Sequence, residues 1–217
     1  MNVSSQSTGP RPKPATGPRA RTRKLMVTTA SRLMQAGLTP SVSEVAEAAE
    51  VSRATAYRYF PNQTALVHAV VEEALGPILK WKGRTQDAEQ RIADLFDKAL
   101  PRIAEFEATF KAALRLSLEQ WAQEGAAATQ PRFTRGHRID LLTDALAPLR
   151  GRLTDAAFDR LAQALSLIFG VELFTVLKDI WNLDDTQSAG VAKWAACALV
   201  RAAMAEADNR ETAEART

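Results

Sequence analysis

Ten residues near the start of the chain, Val51 to Phe60, read VSRATAYRYF and hold two arginines, a serine, a threonine and two tyrosines. A stretch this short does not form a stable helix by itself in water. Its outward-reaching groups are mostly hydrogen-bond donors, the side-chain types that meet phosphate oxygens and base edges.

The flanking residues show how such a stretch can be held. Ser41-Val42-Ser43-Glu44 has the spacing of a capping box, with Ser41 bonding the backbone at position 44 and Glu44 reaching back. It opens a helix carrying Val45, Ala46 and Ala49. Ser52 is a good cap for a short helix at about 53–59, which Pro61 closes. Asn62 caps the next helix, which runs to about Leu75, where Gly76-Pro77 kinks or ends it. A longer helix, from about Arg19 to Gln35 and ended by Gly37, precedes them all. Two short helices joined by a tight turn, the second capped by serine, make a helix-turn-helix. In that arrangement the second helix lies in the major groove, and its outer face is polar and donating.

The whole chain, at 217 residues, is long enough to bury a real core. Alanine, leucine, arginine and glutamate favour helix, and no stretch alternates as a half-buried strand does. The fold class is all-α, with roughly nine helical segments. Beyond Leu75 they lie near 87–103, 106–123, 132–149, 155–181 and 187–206. Residues 1–18, rich in proline, serine and glycine, read as a disordered basic arm, and 207–217 as a flexible tail. The divisions are therefore a helix-turn-helix unit at 19–66 and a larger helical unit at 67–206, which the family resemblance below makes a DNA-binding domain and a ligand-sensing and dimerisation domain.

Charge supports that division. Residues 1–66 contain nine Lys/Arg against three Asp/Glu, whereas the remainder holds 19 basic and 22 acidic residues. A polyanion partner is implied for the first part alone. Cys197 is the single cysteine, so no internal disulfide framework forms and a reducing cytoplasm fits. The most apolar segment, 161–177, is broken by Gln163, Ser166 and Glu172 and is too short and polar to cross a bilayer, so no membrane partner is expected. Enzyme chemistry finds little support. Asp184-Asp185 sits where a helix cap belongs, and no Gly-rich phosphate loop or nucleophile elbow is present. His68 and His137 lack a neighbouring cysteine or paired acidic motif, so no metal and no cofactor are expected.

The stretch SVSEVAEAAEVSRATAYRYFPNQTALVHAV, together with TRKLMVTTASRLMQAGLTP before it, resembles the TetR family of bacterial transcription regulators. The resemblance covers about a quarter of the chain: a capped helix, a valine-serine turn, a short helix ending in Tyr57-Arg58-Tyr59-Phe60, and a capped fourth helix with an early leucine, Leu66. It implies a helix-turn-helix DNA-binding domain joined to a helical ligand-binding and dimerisation bundle. Carried over residue by residue, it makes Arg53, Ala54 and Thr55 the candidates for base edges, because arginine can pair with guanine and a methyl can touch thymine. Tyr57 and Tyr59 become phosphate contacts and Arg58 a base or phosphate reader, while Ser41, Ser43, Ser52 and Gln63 lie near the DNA backbone. The chain departs from the family pattern at Glu50, where glycine is usual, at Ala56, where a larger apolar residue is usual, and at Gln63, where lysine is common. If Glu50 takes a positive φ, the cost is about 1 kcal/mol. Arg19, Arg21, Arg23 and Lys24 could replace the missing charge at phosphate or in the minor groove.

The resemblance further implies a cytoplasmic, nucleoid-associated homodimer on a palindromic double-stranded operator, commonly a repressor released by a small molecule. The last two long helices would build the dimer seam, with Leu165 and Phe169 from one and Ala195, Leu199 and Ala202 from the other. The alternative for those alanines is an intramolecular core. Trp121, His137 and Glu172 stand on apolar faces and are candidate anchors in an apolar ligand pocket. The rival to a ligand-controlled regulator is a helical adaptor that binds another protein and has no ligand control of DNA binding.

Overall fold

The computed structural model describes residues 17–123 and 136–214. The arm at 1–16, the Pro131 connection and the last residues of the tail lie outside them. Among the described residues there are ten α-helices and no strands. They are α1 (Pro18–Gln35), α2 (Val42–Ala48), α3 (Arg53–Tyr59), α4 (Gln63–Leu75), α5 (Ala88–Glu105), α6 (Glu107–Gln123), α7 (His137–Ala145), α8 (Asp155–Leu167), α9 (Val171–Asp179) and α10 (Asp185–Glu214). Short 3-10 turns at Gly76–Lys80 and Ala147–Leu149 follow α4 and α7.

The N-terminal helices begin where polar caps satisfy free backbone N–H groups. Ser41, Ser52 and Asn62 accept from the backbones of Glu44, Thr55 and Ala65. Glu44 completes the capping box with a 2.7 Å bond to the Ser41 N–H. The backbone and hydroxyl hydrogen bonds from Ser41 hold the Glu44 carboxyl below its usual pKa.

Two apolar clusters organise the chain. The first joins Met26, Ala30 and Met34 of α1 with Val42 and Val45 of α2 and Ala56 of α3. It is closed by Leu66, Val67 and Val70 of α4 and by Ala112, Ala113 and Leu116 of α6. The N-terminal helical unit therefore does not stand on its first three helices alone. The second cluster is built on α5, whose Ile92, Leu95, Phe96 and Leu100 are buried. The small face of α10, Ala192, Ala196, Val200, Ala203 and Ala207, belongs to the same cluster. Small side chains let two helix axes approach closely over a long contact.

Several expectations change at this level. The segment expected as one helix over 155–181 breaks at Gly170, whose φ of 149° is a conformation glycine adopts at little cost. The tail expected to be flexible from residue 207 instead continues α10 to Glu214. Buried Ala203 and Ala207 and the Arg152–Asp208 and Arg160–Glu206 ion pairs fasten that extension to the α8 region. Arg19, Arg21, Arg23 and Lys24 lie in the opening turns of α1, which begins at Pro18. Leu165 and Phe169 do not face a partner, because both lie in the chain's own core, with the Phe169 ring 5.1 Å from that of Phe96. Part of the small-residue face of α10 is likewise intramolecular, through Ala192, Ala196 and Ala203, whereas Ala195 and Leu199 are half-buried and Ala202 is exposed. As expected, Asp184 caps α10, accepting from the Gln187 N–H at 2.8 Å. Among the described residues no single helix is long and apolar enough to cross a membrane.

Candidate nucleic-acid interface and ligand cavity

Only Ala56 of α3 is buried, and it packs with Phe60, the residue just beyond the helix. Seating one small residue fixes which way the other side chains point. Arg53, Ala54, Tyr57 and Arg58 are exposed, Thr55 and Tyr59 half-buried. A larger residue at position 56 would push α3 outward, so alanine sets how closely the helix lies on its support. The Ser43 and Tyr57 hydroxyls sit 3.2 Å apart and link α2 to α3. Ser52 also donates to the Thr55 hydroxyl at 3.0 Å. The Arg58 guanidinium lies 5.6 Å from the Tyr59 ring, and Arg23 stacks 5.5 Å from Phe60. Arg23 thus extends the positive surface of α1 beside the end of α3.

Gln63 takes a supporting position. Its amide donates to the carbonyls of Thr39 and Pro40 at 3.0 and 3.1 Å, tying the start of α4 to the turn before α2. A lysine could not make the same pair of neutral hydrogen bonds. The residue that departs from the family pattern therefore braces the turn in this geometry.

A cavity of about 90 Å³ lies between α4, α5, α6, α7 and the α8–α9 break. Val71, Leu75, Ile103, Phe110 and Leu141 give it apolar walls, and His68, Glu72, His137 and Arg138 supply polarity. His137 is the one expected anchor that lines it. Glu172 stands behind the wall, where its carboxylate accepts a 2.7 Å bond from Arg138, which also donates to the Ser166 carbonyl at 2.9 Å. Trp121 is corrected outright: it is 74% exposed at the end of α6 and does not line the cavity. Apolar spacing on α6 placed it with Phe110, but one helix face passes from cavity to surface along its length.

The sequence reading also missed residues. His68 and Glu72 are four apart on α4, so both share one helix face, and their spacing was the available signal. They meet His137, so the expectation that neither histidine has an acidic neighbour is corrected. Arg138 gave no local signal, because its partner Glu172 is 34 residues away. Gly170 is dictated by the same pair. A Cβ there would come within 2.0 Å of the Arg138 Nη2 and 2.6 Å of the Glu172 Oε2.

Residues 27–70 match the family described as bacterial regulatory proteins, tetR family. The fold is similar to that of a tetR-family transcriptional regulator from Streptomyces coelicolor, with a TM-score of 0.60 at 18% identity over 89% of each chain. It is also similar to a TetR transcriptional regulator from Rhodococcus sp. RHA1, with a TM-score of 0.53 at 17% identity, covering 85% of this chain and 97% of that one. No curated protein matches the sequence.

Proposed function

We infer that this chain, which belongs to the TetR family and is a DNA-binding transcriptional regulator, acts as a dimeric repressor that leaves a palindromic operator when a small, largely apolar ligand occupies its cavity. One observation carries the ligand control. α4 closes the core of the N-terminal unit through Leu66, Val67 and Val70, and another face of the same helix lines the cavity with His68, Val71, Glu72 and Leu75. A ligand that moves α4 moves the support of α3. Its leverage equals its difference in affinity between the DNA-bound and released states. The cavity is far below the roughly 300–1,000 Å³ of pockets for drug-sized ligands, so a small effector fits or a larger one must widen it.

On DNA, Arg53, Ala54 and Thr55 read base edges, Arg58 reads a base or a phosphate, and Tyr57, Tyr59, Ser41, Ser43 and Ser52 set register on phosphates. Such a protein works in the bacterial cytoplasm, at the nucleoid. The test is footprinting on the DNA flanking its own gene, followed by titration with candidate ligands. Protection of two half-sites one helical turn apart is expected. Unchanged operator affinity in the presence of a ligand proven to bind would sink the release mechanism. An absence of any protected bases would sink the DNA reading itself.

A further inference from the structure

We propose that His68, Glu72 and His137 form a binding site for one divalent transition-metal ion of the zinc class at the wall of the cavity. The Glu72 Oε1 lies 3.7 Å from the His68 Nδ1 and 3.9 Å from the His137 Nε2. The ligand atoms of all three residues fall within 4.8 Å of one another, and the two imidazole centroids are 6.1 Å apart. Both carboxylate–imidazole separations are too long for hydrogen bonds. The His137 Nε2 is buried and has no hydrogen-bond partner among the described residues. A buried imidazole nitrogen left without a partner is costly unless something fills its lone-pair direction.

A metal ion answers that geometry. Bonds of about 2.0–2.1 Å in a tetrahedral arrangement place donor atoms roughly 3.3–3.5 Å from one another. Two of the separations exceed that by only a few tenths of an ångström, which half-exposed side chains can close by small χ adjustments. Two imidazoles and one carboxylate suit zinc and its first-row neighbours, whereas calcium and magnesium require oxygen donors. Three protein ligands leave a further position open, as metal sites that accept an exogenous donor do. All three residues line the apolar cavity, so that position is available to water or to a donor atom of a small molecule. The ion would join α4 to the first turn of α7. Any effect on operator affinity rests on the lever role of α4 argued above, but ion binding does not.

The experiment uses tag-free full-length protein, stripped with chelator, because His68 and His137 are its only histidines. Cobalt(II) is titrated as a visible-spectrum probe and then displaced by zinc. One ion per chain is expected, with saturable ligand-field bands. His137→Ala and the near-isosteric Glu72→Gln should each weaken binding by at least about 100-fold, more than losses from supporting residues around metal sites. Cys197→Ser should leave it unchanged. Helical content by circular dichroism and operator binding are measured on the same metal-free samples. Absence of saturable bands, or equal affinity in wild type, His137→Ala and Glu72→Gln, overturns the site and leaves the trio as polar neighbours on the cavity wall. If those samples still bind operator, the metal site alone has failed and the regulator reading stands.

Discussion

Glu50 takes a φ of 54° in the turn between α2 and α3. Two backbone bonds hold it there, from the Val51 N–H to the Ala46 carbonyl and from the Glu50 N–H to the Glu47 carbonyl. Gly37 occupies the same place after α1, with φ 83° and the equivalent pair of bonds from Leu38 to Leu33 and from Gly37 to Met34. Both helices end in the motif that favours a left-handed residue, but only one supplies glycine. Glu50→Gly should therefore stabilise the fold by about 0.5–1 kcal/mol, part of the relief being offset by glycine's looser unfolded chain. A higher denaturation midpoint at unchanged slope is the expected result; an unchanged midpoint would show that the turn carries no such strain. Gly170 is the opposite case. Gly170→Ala drives a methyl into the Arg138–Glu172 pair at a φ that side chains rarely adopt, and should cost about 1–3 kcal/mol. A melting temperature equal to wild type would mean that Arg138 swings away freely.

Elements that end on local chemistry were legible; elements that end on tertiary contacts were not. Ser41, Ser52, Asn62 and Asp184 each announce a helix start within a few residues of sequence, and α1 to α4 begin and end within a residue of expectation. The break at Gly170 depends on Arg138 arriving from 32 positions earlier, and the length of α10 depends on α5 and α8, so neither had a local signature. Of the candidate site, the polar face of α3 was legible because one buried alanine settles its orientation. The cavity was not, because its polar walls come from α4 and α7, nearly 70 residues apart. A three-helix junction gives a pH test at this scale. Lys178 of α9 bonds Glu107 of α6 and Asp185 of α10, each at 2.5 Å. Burial is the largest influence on Glu107 and raises its pKa, but hydrogen bonds and charges from Lys111 and Lys178 together outweigh it and hold the carboxyl below its usual range. A depressed folded-state pKa contributes stability at neutral pH that disappears as pH falls from about 4.3 through the lower folded value. Lys178 is held above its usual pKa, first by Asp185 and then by Glu107, so it stays charged throughout that window. Lys178→Met should be less stable than wild type at pH 7, and the gap should narrow as Glu107 is protonated. A gap that stays constant down to pH 3 would assign the loss to packing.

The intact molecule leaves large apolar side chains uncovered near the ends of its last three helices. Leu167 of α8, Val176 of α9, Ile180 and Trp181 just beyond α9, and Val191 and Trp194 of α10 are all exposed. Trp194 keeps 70% of its surface in contact with solvent. Large apolar side chains left in solvent are candidates for an interaction site, and tryptophan is among the residue types enriched as interface anchors. The inward faces of α8 and α10 already serve the core, so the seam of the proposed homodimer is placed on these outward residues in place of Leu165 and Phe169. Trp194→Glu would set two like charges against each other across a two-fold axis, since each subunit presents the same patch. Sedimentation should then show half the wild-type mass with helical content unchanged. Operator affinity should fall by at least about 100-fold, because two linked heads bind with an effective concentration that a single head lacks. Leu118→Glu, a comparable change at an exposed residue of α6, should alter neither quantity. If Trp194→Glu keeps the wild-type mass and operator affinity, the seam lies elsewhere. If the mass halves while operator affinity holds, each reading head binds on its own, and spacing between heads cannot be what a ligand controls.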